Sequence, residues 1–201
     1  MADTAGQWVV AAIVAADRAL SDELVKRRLP LLRRGLSDVV CAIVDKDGVA
    51  LEDRIEMDDL LTRYASAIDG LDWDLLDTVF TSDSHLDYRS AGGVEGSYPE
   101  VRRWLAEVLP IFDVTQHLVV NREFKCVADG VQARSCFLNV NRLEIKGEPW
   151  LFTVGGRYHD QLVDTIDGWR IASRIELTLW WDNPMPGLPK IPPPVPGLPN
   201  H

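Results

Sequence analysis

Between residues 114 and 181 the chain falls into four long stretches of alternating character, roughly 114–128, 131–145, 149–163 and 168–181, separated by Asp129-Gly130, Lys146-Gly147 and Asp167-Gly168. Alternation of period two marks β-strands with one covered and one exposed face, and a polar residue followed by glycine between two such runs is a hairpin signal. Turns this short leave the four strands one arrangement, an antiparallel meander. Its covered face must be supplied by the residues that precede it.

Those residues are helical. Met57, Leu60, Leu61, Tyr64, Ala65 and Ile68 recur at helical spacing and the stripe closes at Gly70. A second short helix is expected from Asp72 through Trp73, Leu76, Val79 and Phe80, then a short strand at Leu86-Asp87-Tyr88. Ser97-Tyr98-Pro99-Glu100 is a capping box opening a third helix that buries Val101, Trp104, Leu105 and Val108. The order α-α-β-α-β-β-β-β predicts an α+β domain in which a curved antiparallel sheet wraps around helices, a cone with an internal pocket.

Three segments follow. Residues 56–182 form the cone. Residues 1–55 show helical periodicity in pieces (Trp8 to Leu20, Leu24 to Leu32, Leu36 to Val44) and no chemical motif; they are either a helical extension or the translated product of a start site upstream of Met57. Residues 183–201 repeat Pro-Gly-Leu-Pro at 186–189 and 196–199. Proline fixes φ and lacks an amide donor, so this is an extended polyproline tail, lying on its own or a neighbouring subunit or offered to a proline-binding module.

Charge narrows the partners. Thirty-one Asp and Glu against 21 Lys and Arg leave a formal −10, which disfavours nucleic acid and anionic membranes. The apolar run Trp8 to Ala16 has no basic flank and ends at Asp17 and Arg18, too early for a membrane span. Cys41, Cys126 and Cys136 give no disulfide or zinc pattern, and a hairpin turning at Asp129-Gly130 would set Cys126 opposite Ala133, away from Cys136. The expectation is a cytoplasmic protein without a metal site, open to small uncharged or cationic ligands.

Candidate chemistry is confined to a few positions. Asp69 lies at the edge of the first helix's apolar stripe, either pointing partly inward or left in solvent at the helix end, whereas Asp72 and Asp74 read as solvated charges or helix caps. His117, in Thr115-Gln116-His117, shares a strand face with Thr115, Val119 and Asn121; alone it is a structural histidine or an acid–base group, and beside a buried acid the second reading gains. An imidazole, with an ordinary pKa of about 6.5, exchanges protons near neutral pH, and a carboxylate on its other nitrogen fixes the tautomer. Phe137, Asn139 and Asn141 share a face of the next strand. In Gly155-Gly156-Arg157-Tyr158-His159-Asp160 the glycines allow close backbone approach, Arg157 is either an inward partner for a carboxylate or a surface charge, and Tyr158 reads as core. No phosphate loop, nucleophile elbow or His-Glu-x-x-His motif is present.

The run Tyr64-Ala65-Ser66-Ala67-Ile68-Asp69-Gly70-Leu71-Asp72-Trp73-Asp74, with Leu86-Asp87-Tyr88-Arg89-Ser90, Thr115-Gln116-His117 and Ile166-Asp167-Gly168-Trp169, resembles the SnoaL-like group of cone proteins and, within it, the scytalone dehydratase-like family, over about 57–182. That resemblance implies cofactor-free elimination of water from a ring β-hydroxyketone, with the family's catalytic aspartate at Asp69, its histidine at His117 and its carbonyl-binding tyrosine at Tyr88. Ile68 stands where the family has a second tyrosine, Asn139 and Asn141 occupy the region of its second histidine, and His159 aligns with a family asparagine, so scytalone itself is disfavoured. Bile-acid dehydratases of the group have a tyrosine-to-aspartate spacing like that of Tyr64 and Asp69. The resemblance also implies a small hydrophobic substrate and a homodimer or homotrimer. Because the same cone hosts isomerases and the non-catalytic small subunits of ring-hydroxylating dioxygenases, a ketosteroid-type isomerase and a ligand-binding or assembly subunit stand as alternatives. Trp180 and Trp181 should face opposite ways, one inward and one toward a partner chain.

Overall fold

The computed structural model describes residues 45–190 and 192; the helical pieces of the first 44 residues, Cys41 and the end of the proline tail lie outside the described residues. Helix α1 (Leu51–Asp69) buries Met57, Leu60, Leu61, Tyr64, Ala67 and Ile68, with Glu52 and Asp53 placed favourably in its first turn. The boundary drawn at residue 55 cuts this helix. Val49 is already buried, and the Asp45 carboxylate accepts from the Val49 amide at 3.1 Å and from Arg54 at 2.8 Å. Gly70 ends α1 where a Cβ would sit 3.0 Å from the Ser66 carbonyl.

Helix α2 (Trp73–Leu76) is capped by Asp72, whose side chain accepts from the Leu75 amide. It stops earlier than expected. The β-branched and aromatic run Thr78-Val79-Phe80-Thr81 favours extended backbone, and β1 begins at Phe80 and runs to Asp87. A 3-10 turn (Arg89–Ala91), β2 (Glu95–Ser97) and α3 (Tyr98–Val108) follow, the Glu100 carboxylate accepting from both the amide and the hydroxyl of Ser97. Then come β3 (Val114–Val127), β4 (Gly130–Ile145), β5 (Glu148–Thr165) and β6 (Gly168–Asp182).

The class is α+β with a six-stranded sheet in the order β2-β1-β6-β5-β4-β3. The four long strands form the expected antiparallel meander, and two features add to it. β2, only Glu-Gly-Ser, joins the edge, and β1 lies parallel to β6. The hairpin register also shifts: Val127 pairs with Gly130, so the turn is Ala128-Asp129 and Cys126 faces Val131, not Ala133. Gly130 is needed by crowding as well as by its φ of 127°, because a Cβ there would lie 2.2 Å from the Leu162 carbonyl. Cys126 and Cys136 are free thiols.

Register sets what faces inward. Across β3, β4 and β5 the inner face reads Thr115–Asn141–Phe152, His117–Asn139–Val154 and Val119–Phe137–Gly156. From β5 to β6 it continues as Gly156–Thr178, Tyr158–Glu176 and Asp160–Arg174. A bulge between Val120 and Glu123 opposes Asn121 and Arg122 to Ser135, gives Asn121 a φ of 51°, and moves Asn121 off the face it was expected to share with His117. Trp181 is 8% exposed and packs near Phe152, whereas Trp180 is 46% exposed on the outer face, over Gly155.

Gly156 is the tightest point of this grid. An added Cβ would lie 2.2 Å from the Leu177 carbonyl and 2.7 Å from the Phe137 ring. Gly156→Ala should therefore cost more than the ~1–3 kcal/mol of ordinary overpacking, read as a lower urea midpoint at unchanged slope. A loss below about 0.5 kcal/mol would show that the strands move apart freely.

The first part of the tail lies on its own domain, one of the two placements expected for it. Asn183 donates to the Leu151 carbonyl at 2.7 Å, the Leu188 amide donates to the Met185 carbonyl at 3.0 Å, and Met185 and Leu188 pack against the core. No helix among the described residues is long and apolar enough to cross a membrane.

Candidate active site

Asp69 is the last residue of α1, and His117 is the fourth residue of β3, which packs on that helix. The Asp69 carboxylate grips His117 twice: Oδ1 lies 2.6 Å from Nδ1 of the ring, and Oδ2 accepts from the His117 amide at 2.8 Å. Asp69 sits at a helix C-terminus, where backbone carbonyls disfavour an anion, and the two N–H donors from β3 offset that. The His117 side chain is 5% exposed and that of Asp69 25%. With a proton on Nδ1 held by the carboxylate, Nε2 is the basic nitrogen.

Tyr64 stands one turn and a fraction before Asp69 on α1, edge-on to the His117 ring at 6.1 Å. Its hydroxyl is 3.2 Å from that of Tyr88, which lies just past the end of β1. Burial pushes both phenols well above the usual tyrosine range, so both are neutral donors. Asn139 is the direct cross-strand neighbour of His117, and its buried Oδ1 has no hydrogen-bond partner. Asp69, His117, Tyr64, Tyr88 and Asn139 are thus brought together.

The other predicted positions are not. Asn141 is buried next along the same face but accepts from the Thr115 hydroxyl at 2.8 Å. Arg157 and His159 are corrected. On β5 Val154, Tyr158 and Asp160 are the buried inner residues, so strict alternation sends Arg157 and His159 to the outer face. There His159 lies between Arg134 and Ile175, and its pKa is lowered by partial burial and by Arg134.

Four residues of the inner face went unrecognised as site groups. Tyr158, expected as core, is fully buried, stacked on Phe137 at 4.5 Å, with its hydroxyl unpaired. Arg174 is 0% exposed; its guanidinium lies 4.0 Å from the centres of both the Tyr64 and Tyr158 rings. Its Nε and Nη2 each donate to the Asp160 carboxylate at 2.8 Å, while Nη1 has no partner. Burial opposes this charge, but Asp160 and the neighbouring tyrosines hold the guanidinium protonated. Glu176 lies beside Tyr158 in register and is 5% exposed, and burial raises its pKa to about 7.

The interior thus combines a basic nitrogen with its orienting carboxylate, neutral phenol donors and a fixed cation under aromatic rings. This set suits removal of a proton from carbon with stabilisation of the resulting oxyanion. Among the described residues no group of three His, Cys, Asp or Glu side chains is arranged to hold a metal.

A family model described as a SnoaL-like domain matches residues 49–175. The uncharacterised protein Rv2910c of Mycobacterium tuberculosis is 39% identical over 141 residues, 68% of this chain and 95% of that one, and Mb2934c of Mycobacterium bovis matches to the same extent. Among solved structures, the Kfla4162 protein from Kribbella flavida superposes with a TM-score of 0.61 at 24% identity, covering 66% of this chain and 94% of that one. A candidate scytalone dehydratase from Novosphingobium aromaticivorans gives 0.61 at 18% identity, covering 71% and 93%. The hexachlorocyclohexane dehydrochlorinase LinA-type3 from Novosphingobium barchaimii gives 0.58 at 18% identity, covering 71% and 97%. At these identities the structures establish a shared fold, and a Salmonella enterica protein of the nuclear transport factor 2-like superfamily shares it at a TM-score of 0.53, 15% identity and coverage of 68% and 94%. The matched family model and the mycobacterial relatives together place the chain in the SnoaL-like family.

Proposed function

We propose that the protein is a cofactor-independent hydro-lyase that removes a proton next to a carbonyl of a small cyclic or polycyclic hydroxyketone and expels the neighbouring hydroxyl as water. The observation that carries this reading is the double grip of Asp69 on His117, which orients an imidazole beside the paired hydroxyls of Tyr64 and Tyr88. His117 Nε2 takes the proton from carbon, and Asp69 stabilises the imidazolium, as in a serine-protease His–Asp pair. The same imidazolium then returns that proton to the departing oxygen, so the site ends as it began and water leaves. Tyr64 and Tyr88 hold the carbonyl oxygen as charge builds, each donor contributing up to about 3 kcal/mol. Asn139, beside His117, positions the substrate through its unpaired Oδ1.

A panel of hydroxylated ketones and steroid-like acyl thioesters, read by mass spectrometry, tests this. A product lighter by one water is expected; a product of unchanged mass would replace the lyase by an isomerase, and no turnover across the panel would favour a ligand-binding subunit. A homodimer or homotrimer belongs to the same reading. What supports it is the outer sheet face, where Leu118, Leu138 and Trp180 form an apolar stripe, with Leu118 and Trp180 exposed.

A further inference from the structure

Glu176 is buried on the inner face, yet no ion pair explains it. The cation nearest in the chain, Arg174, directs its guanidinium fork at Asp160, its direct partner across β5 and β6. Glu176 instead has Thr178, whose hydroxyl donates to Oε1 at 3.1 Å. Thr178 is itself fixed: its amide donates to the Ser90 hydroxyl at 2.9 Å, and that hydroxyl donates to the Glu176 carbonyl at 2.7 Å. The carboxyl is therefore held in place by one oxygen, while Oε2 has no hydrogen bond to any described side chain or backbone group. Tyr158 is the direct partner of Glu176 across β5 and β6, and the charged and titratable groups that act on it through space are Tyr64 from α1, Tyr88 and Asp87 from the end of β1 and Arg174 from β6. Tyr64 and Tyr88 are the donors assigned above to the substrate oxygen; Glu176 acts electrostatically on both, and its register partner Tyr158 packs edge-on against Tyr64 at 5.6 Å.

We propose that Glu176 is a further substrate-binding group of this site, a neutral carboxylic acid that donates a hydrogen bond through Oε2 to the oxygen on which enolate charge develops. This rests on the proton-abstraction reading, with His117 as base and Glu176 on the oxyanion side. No proton leaves Glu176 in the step; it acts as a third neutral donor beside two phenols. A buried carboxylic acid kept protonated among apolar groups serves in this way in ketosteroid isomerase, a general precedent for the chemistry. Burial raises the Glu176 pKa to about 7 in spite of Thr178 and Arg174, which both pull it down, and Asp87 raises it further. The donor is therefore fully present at acidic pH, half present near pH 7 and lost above it.

The test uses 3,4-dinitrophenol, whose phenolate oxygen imitates an enolate, titrated by absorbance into the full-length protein with correction for its own ionisation. Phenolate affinity of the wild-type protein should be level at acidic pH and fall about tenfold per pH unit above about 7. Glu176→Gln keeps an amide donor and cannot ionise, so its affinity should lose that fall while staying within about tenfold of the acidic wild-type value. Matching pH profiles in wild type and E176Q, or no phenolate binding at any pH, would overturn the proposal. As a second readout, carboxyl-13C glutamate labelling should show one resonance titrating near pH 7 that is missing in E176Q. The two readings fail separately. A pH step in phenolate binding without turnover of the ketone panel would sink the lyase alone, whereas turnover with no step would sink the role of Glu176 alone.

Discussion

Arg174→Met is expected to lower the stability of the folded chain by about 3–5 kcal/mol, because it strands a buried carboxylate. The Asp160 side chain is 1% exposed and receives both of its fork donors from Arg174 at 2.8 Å. Removing the cation also takes away the surface sandwiched by Tyr64 and Tyr158, both fully buried, at 4.0 Å from each ring centre. A domain of ordinary stability holds only about 5–15 kcal/mol in all, so the variant should unfold at much lower urea. Arg174→Lys should be nearly as damaging, since an ammonium supplies neither the planar fork nor the flat face between two rings. The double variant Arg174→Met with Asp160→Asn should recover at least half of the loss, because it removes the unpaired charge. If R174M costs under about 1 kcal/mol, or if the double variant is no better than R174M alone, the pair does not organise this core.

That pair was hidden from the sequence for a specific reason. Trp169 and Ile171 face inward on β6, so simple alternation would put Arg174 outside with Arg170. The register slips by one between the pairs Ile171–Leu162 and Ser173–Gln161, inserting Ala172 and turning Arg174 and Glu176 in. A second slip, between the pairs Thr178–Gly156 and Trp180–Gly155, inserts Leu179 and restores the parity that buries Trp181. The bulge at Asn121-Arg122 works the same way on β3. Bulges move every later side chain to the other face and leave no periodic signal in one strand read by itself.

What was legible is what depends on local pattern. The α1 stripe, the Ser97–Glu100 box and the four long strands are short-range features, and each appears within a residue or two of its expected place. The helical wheel put Asp69 at the edge of the apolar stripe and alternation put His117 on a mixed strand face, each with a structural alternative open; it was the family resemblance that paired them and brought in Tyr64. β2 could not be anticipated, because Glu95-Gly96-Ser97 has no alternation and is held only by pairing with β1. The parallel contact of β1 with β6 joins residues about ninety apart, as in Leu86 with Arg174, and no local signal encodes it. His159 was placed by resemblance to a family asparagine, and neighbouring Tyr158 occupies the inward position instead.

The same geometry fixes what happens when the dyad is broken. His117→Ala removes the base and should reduce turnover of any panel substrate by at least about 10²–10⁴-fold. Asp69→Asn is the more informative variant. The carboxylate accepts from two N–H groups of one residue, the ring Nδ1 and the backbone amide of His117, through its two oxygens. An asparagine has one oxygen and one NH₂, so a donor must face a donor on one side. If the backbone amide keeps the oxygen, the NH₂ faces Nδ1 and drives the ring proton to Nε2, the nitrogen that has to be basic. The expected fall in kcat/KM is about 10⁴-fold, the size seen when the equivalent aspartate of a serine protease becomes asparagine. Stability should change by no more than about 3 kcal/mol, the range for a lost charged hydrogen bond, and the far-ultraviolet dichroism should be that of the wild type. Nitrogen-15 NMR of the His117 ring reads the tautomer without any substrate. Proton density moving from Nδ1 in the wild type to Nε2 in D69N is the expected result, and an unchanged tautomer with full turnover would show that Asp69 only anchors the strand.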